Sequence, residues 1–197
     1  MKMYKKVMAA ALAGVMTVSM SATAFAADDD GYILKATNED SKSSDNDLVI
    51  AIEGSVSSMD PANIPDTNAI SATRGVYETL VPFDENQELT GKLAESWEVS
   101  DDSLTYTFKL RQGVKFQDGT DFNAAAVKAN YDRVVNKDNN LRQRRTFIVT
   151  NEDGSETPRV DSIETPDDYT LVIKLTQAWA PFINRLTQFC IISPAAL

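Results

Sequence analysis

Apolar positions along this chain recur with different spacings, and each spacing predicts a different element. Residues 48–52 (LVIAI) form a short continuous apolar run closed by Gly54, as in a strand covered on both faces. Residues 68–80 instead place Ile70, Thr73, Val76, Tyr77 and Leu80 three or four apart, which predicts an amphipathic helix stopped by Pro82. Strict alternation occurs twice. Leu104, Tyr106, Phe108 and Leu110 alternate with Thr105, Thr107 and Lys109, and Leu171, Ile173 and Leu175 alternate over residues 170–175. Each of these strands opens on an aspartate pair, Asp101-Asp102 or Asp167-Asp168, and ends in Lys-Leu. Two such pieces do not make a repeat protein. They predict two similar hairpins in one sheet system.

Turn and cap residues punctuate the remainder. Asp118-Gly119 signals a turn before Phe122. Asn123 is a candidate N-cap for a helix running to about Val135, with Val127, Tyr131, Val134 and Val135 facing inward. Residues 136–158 are polar except for Phe147-Ile148-Val149, read as a short strand, and residues 160–164 open the second β region. Residues 181–186 predict one or two helical turns and residues 189–192 a buried strand. Ser193 then stands as N-cap with Pro194 at the first helical position. A chain stopping on the first turn of a helix is expected to be the N-terminal part of a longer protein.

The start of the chain carries a different message. Lys2, Lys5 and Lys6 precede an apolar stretch over residues 7–20, and small residues follow up to Ala24-Phe25-Ala26. That order is the pattern of a secretory signal peptide over residues 1–26, cleaved after Ala26. The stretch is shorter than the ~20 apolar residues of a membrane-spanning helix. Residues 27–46, rich in Asp, Ser, Asn and Lys, read as a flexible acidic and polar spacer, and Asp28-Asp29-Asp30 as a solvated tail rather than a metal site. No cysteine follows the apolar run to take a lipid, so the product is expected to be exported and not lipid-anchored. The lone Cys190, between apolar neighbours, reads as a buried small hydrophobe that forms no internal disulfide.

Composition narrows the chemistry. The chain has 29 acidic against 19 basic side chains, three of the latter within the first six residues. Such a surface repels nucleic acid and anionic membranes. There is no histidine, which removes Ser-His-Asp and Cys-His catalysis and imidazole-based zinc sites. Aligning an EF-hand on Gly154 puts Val149 and Val160 at its end ligands, and aligning on Gly119 puts Val114 and Ala125 there, so neither loop binds calcium that way. No phosphate-cradling loop is present. No cofactor is expected. Arg142, Arg144 and Arg145 form the one basic cluster, open either to an acidic partner or carboxylate ligand or to a simple role as a solvated loop. Trp97 and Trp179 are read as core or edge aromatics, the latter partly exposed.

Several stretches in order resemble one family. They are Ser58-Met59-Asp60-Pro61, residues 76–81 (VYETLV), residues 91–100 (GKLAESWEVS), residues 111–120 (RQGVKFQDGT), residues 167–175 (DDYTLVIKL), Ala180-Pro181-Phe182 and Ile192-Ser193-Pro194. Together they are similar to the family 5 extracellular solute-binding proteins, the peptide, dipeptide, glutathione and nickel binders of ABC importers. The resemblance covers residues 48–197. It implies an α/β fold, a periplasmic-binding-protein-like (type II) lobe with a mixed sheet, flanking helices and β-hairpins. Residues 47–197 would be the N-terminal part of the first lobe, with the second lobe missing. Such a protein closes on its ligand like a hinged clamp and hands it to membrane permeases.

The resemblance also implies a ligand-bordering loop after the first strand. Its matching positions are Ser57, Ser58, Met59 and Asp60, with Asn68 and Tyr77 nearby. Hydroxyls and a carboxylate there would bind a peptide's amides or amino terminus. The competing reading is that Ser57, Ser58 and Asp60 only satisfy turn backbone. The function implied is capture of a small solute, of peptide type, by a monomeric, non-enzymatic component of an ABC importer outside the cytoplasmic membrane. The alternatives are a fragment of such a protein without function of its own, and a secreted hydrolase.

Overall fold

The computed structural model describes residue 52 and residues 54–197. The first apolar run up to Ala51, the spacer and the signal-peptide reading with its cleavage at Ala26 lie outside the described residues.

Three antiparallel sheets organise what is described. The largest has four strands in the order β2-β3-β7-β6: β2 Ala94–Val99, β3 Thr105–Leu110, β6 Val160–Asp167 and β7 Thr170–Leu175. The two hairpins read from sequence therefore share one sheet, joined through β3 and β7. Their register pairs Trp97 with Phe108, Phe108 with Leu171, and Ile163 with Ile173. The alternation reads out as expected. Tyr106, Phe108 and Leu110 of β3 and Leu171, Ile173 and Leu175 of β7 are buried, while Lys109 and Lys174 are exposed. Fully burying side chains of this size contributes about 1.5–3 kcal/mol each, which makes the inner face of β3 and β7 the main anchor of the fold.

Two smaller sheets flank it. The strand β1 Glu78–Thr79 pairs with β8 Cys190–Ile191, and β4 Ile148–Thr150 pairs with β5 Glu156–Pro158. Helix α1 spans Thr67–Arg74, α2 Ala124–Val135, α3 Arg144–Phe147 and α4 Phe182–Leu186. Among the described residues, three short 3-10 turns occupy Pro61–Asn63, Lys137–Asn139 and Pro194–Ala196. Among the described residues no helix is long and apolar enough to cross a membrane.

Helix α2 matches its predicted limits. The Asn123 side chain accepts from the Ala126 N–H at 2.9 Å, the bond an N-cap makes to an otherwise unpaired donor. Val127 and Val134 are buried, and α2 lies against β6. Tyr131 and Val135 are partly buried beside them. The Tyr131 ring meets Phe147 edge-on at 5.2 Å, and Phe147 meets Phe189 at 5.3 Å. Burial first, and the Asp132 charge second, push the Tyr131 phenol up to about 12. Ser193 caps the last 3-10 turn by accepting from the Ala195 N–H, with Pro194 at its first position as expected.

Three expectations need correction. The helix predicted over residues 68–80 starts at Thr67 and ends at Arg74. Gly75 follows, and the Thr73 hydroxyl folds back onto the carbonyls of Ala69 and Ile70, a bond that weakens a helix end. Glu78 and Thr79 then pair with β8, so Leu80 is buried from the bend just past that strand while Val76 is exposed. Tertiary pairing has overridden a helical period here. Phe147 ends α3 rather than starting a strand, and β4 begins at Ile148. Cys190 is partly buried rather than enclosed. Its thiol is still pushed up to about 11 by desolvation, which keeps it protonated and inert at neutral pH.

Candidate functional site

The loop preceding α1 is built from polar contacts. Ser57 Oγ donates to Asp66 Oδ2 at 2.5 Å, and Asp66 Oδ1 accepts from the Ala69 N–H at 2.9 Å as the N-cap of α1. The Ser57 hydroxyl is the main cause holding the Asp66 carboxyl below its ordinary value, and the Ala69 amide adds to it. Ser58 Oγ accepts from the Asp60 N–H at 3.1 Å. Asp60 Oδ1 accepts from the Ala62 N–H at 3.0 Å and caps the first 3-10 turn.

Asp60 does more than cap. Its two carboxylate oxygens receive the Arg133 guanidinium, Nη2 to Oδ2 at 2.5 Å and Nη1 to Oδ1 at 3.2 Å. Arg133 comes from α2, and the pair is mostly shielded, with side chains 19% and 28% exposed. Two parallel charge-assisted bonds of this kind fix orientation as well as distance. The Gln143 N–H donating to the Ala62 carbonyl at 3.0 Å is a second tie to the same turn. The loop is thus clamped to the α2 region, and a ligand ammonium would meet an Asp60 carboxylate already engaged by Arg133.

The remaining positions divide between two places. Met59 is exposed at the crest of the loop. Asn68 sits in the first turn of α1, and a Cβ at Gly54 would come within 2.6 Å of its Nδ2. The stronger obstacle is the φ of 111° at Gly54, which disfavours any side chain there, since the Asn68 amide at the end of its side chain can turn aside. Tyr77 lies beyond the other end of α1, partly buried, on the wall of an open recess of about 310 Å³. Arg74, Glu78, Phe116, Gln117 and Phe122 share that wall, and Gln117 Nε2 donates to the Val76 carbonyl at 2.9 Å. The structure therefore brings Ser57, Ser58 and Asp60 together and sets Tyr77 apart from them.

Sequence reasoning missed Arg133 and Asp66. An aspartate directly before Thr67 was a readable N-cap signal. Arg133 had none, because its partner is 73 residues away.

Other candidate chemistry resolves into structure. Asp102 accepts from Ser100 Oγ and the Leu104 N–H, and Asp167 from the Tyr169 N–H, so the aspartate pairs shape hairpin turns. Trp179 packs partly buried against the core with the Arg159 guanidinium 4.1 Å above its ring, and Trp97 is likewise half-buried on β2. Arg144 pairs with Glu156 through Nη1 at 2.7 Å and Nη2 at 2.9 Å and donates Nε to the Val135 carbonyl at 2.8 Å. Among the described residues no group of three or more acidic, Cys or His side chains is placed to hold a metal ion.

An α/β arrangement of hairpin sheet, flanking helices and polar loop is that of a periplasmic-binding-protein lobe, and solved structures agree. The Escherichia coli murein tripeptide binding protein MppA superposes with a TM-score of 0.64 at 27% identity, over 74% of this chain and 30% of that one. NikA from Brucella suis, solved with Fe(III)-EDTA, superposes with a TM-score of 0.58 at 34% identity, over 71% of this chain and 26% of its own. The model of the bacterial extracellular solute-binding proteins, family 5 Middle, matches residues 88–196, and the chain belongs to that family. The glutathione-binding protein GsiB of Escherichia coli (strain K12) is 37% identical over 186 residues, 93% of this chain and 31% of the relative. The chain spans less than a third of the length of the curated relatives it matches.

Proposed function

We propose that this chain supplies part of the first lobe of a substrate-binding component of an ABC importer, and that its solute is a short peptide of the glutathione type. The observation carrying this reading is the 37% identity to glutathione-binding proteins over 93% of the chain. A tripeptide-binding neighbour of the same fold is compatible with a peptide, and a neighbour solved with Fe(III)-EDTA keeps a chelated metal as the second reading. Capture is reversible, by hydrogen bonds and burial, with no covalent step. The protein works outside the cytoplasmic membrane, delivered there by the leader over residues 1–26.

The loop of Ser57, Ser58, Met59 and Asp60 borders the ligand, with Asn68 and Tyr77 contributing from either end of α1. Within it Asp60 acts as the loop's anchor to Arg133, leaving ligand contact to the Ser57 oxygen as acceptor, the Ser58 hydroxyl as donor, backbone groups and Met59. The experiment is calorimetric titration of the whole gene product, purified from its source cell, with glutathione and a panel of di- and tripeptides. Binding at about micromolar affinity to a peptide, with no peptide cleaved, is the expected result. Cleavage of the peptide would favour a secreted hydrolase, and silence across the panel would remove the peptide reading.

A further inference from the structure

A second open recess, of about 300 Å³, lies on a part of the molecule that the candidate loop does not use. The 3-10 turn after α2, helix α3 and the β4–β5 pair form its walls, and Lys137, Arg142, Arg144, Arg145 and Glu156 line it. Four cationic side chains thus face one carboxylate, in a chain with 29 acidic and 19 basic residues.

How those charges are used is uneven. Arg144 is spent, because Glu156 takes both of its terminal nitrogens and the Val135 carbonyl takes Nε. Lys137 Nζ stands 3.9 Å from the same Glu156 and is 78% exposed. Arg142 and Arg145 are exposed and make no side-chain hydrogen bond or ion pair. Elsewhere Lys92, Arg111, Lys115, Lys128 and Arg133 each stand beside a carboxylate, while the exposed Lys174 and Arg185 make no ion pair, so the recess is distinguished by its clustering of cations and not by unpaired cations alone. Gathering like charges costs energy that a solvated loop does not need to incur, and an opposing group offsets it.

We propose that this recess is a docking site for a short acidic segment of a partner protein, held by Arg142 and Arg145 with Lys137 at the rim. Guanidinium forks match carboxylates two bonds at a time, and Arg144 with Glu156 forms that arrangement on the same wall. The acidic remainder of the chain selects the partner's size. An extended polyanion such as a nucleic acid or an anionic bilayer would meet the repelling surface around the recess, whereas a few carboxylates on one loop meet only the cations. The same contrast orients the approach, since an acidic partner is attracted to one face and repelled by the others.

The test is fluorescence anisotropy of a labelled hexaglutamate peptide titrated with the whole gene product, at low and at physiological salt. A second arm uses phosphatidylglycerol vesicles. The peptide is expected to bind, to weaken as salt rises, and to weaken about tenfold in the Arg142→Gln, Arg145→Gln double variant, since two exposed guanidinium–carboxylate pairs are lost together. Both side chains are exposed, so the variant keeps the fold, checked by an unchanged thermal transition. No peptide binding, equal binding by the variant, or binding to vesicles in preference to the peptide would each overturn the proposal.

Discussion

The four-stranded sheet and the loop before α1 are held together by opposite means. The sheet rests on apolar burial along β3 and β7, with Phe108 and Leu171 fully enclosed and paired across the strands. The loop has few buried apolar side chains, Ala62 among them, and rests on Ser57 with Asp66, Ser58 with Asp60, and Asp60 with Arg133. Burial is non-directional and tolerates change of detail, while polar contacts are lost when one partner goes. The sheet is therefore the stable body, and the loop is the part whose shape can be altered without unfolding the rest.

Substitutions can break this contrast in order of size. Phe108→Ala removes a fully buried ring at the centre of the sheet and is expected to destabilise the chain by about 3–5 kcal/mol, read as a lowered midpoint in urea. Arg133→Gln removes the clamp and is expected to cost about 1–3 kcal/mol. Its amide exchange should rise at residues 57–62 and stay unchanged in β3 and β7; a uniform rise across the sheet would show that loop and sheet are one unit. Asn123→Ala deletes the cap of α2 and should cost about 1 kcal/mol, visible as a small shift in the thermal midpoint.

The smallest effect is a pH dependence. The Asp66 carboxyl is held below its ordinary value in the fold, first by Ser57 and then by the Ala69 amide. The unfolded chain therefore takes up the proton more readily. The contribution is fully present above the ordinary aspartate value and is lost as pH falls through the lower folded value. Protection of the Ala69 amide, measured against the intrinsic exchange rate at each pH, should fall in that acid window, and in Ser57→Ala the fall should begin at higher pH.

What the sequence disclosed follows the same division. Alternation over residues 104–110 and 170–175 located both hairpins, because a period of two has one structural meaning when one face is buried. Asn123 and Ser193 announced their caps through local chemistry. The helix over residues 68–80 failed because Glu78 and Thr79 find partners in Cys190 and Ile191, more than a hundred positions away, which no local window contains. The candidate loop was singled out through its resemblance to a family, and in the structure Ser57, Ser58 and Asp60 make the loop's own polar contacts. Their partners were only half legible. Asp66 stands within the local pattern, whereas Arg133 reaches Asp60 only through the packing of α2.

The loop before α1 is proposed to border a peptide ligand while the sheet serves as its support. The most direct measurement is amide hydrogen exchange on the whole gene product with and without glutathione. Added protection is expected at Ser57, Ser58, Met59 and Asp60, and around Asn68 and Tyr77, with β2, β3, β7 and β6 unchanged. Glutathione binding that leaves that loop as it was, with protection confined to other parts of the protein, would contradict it.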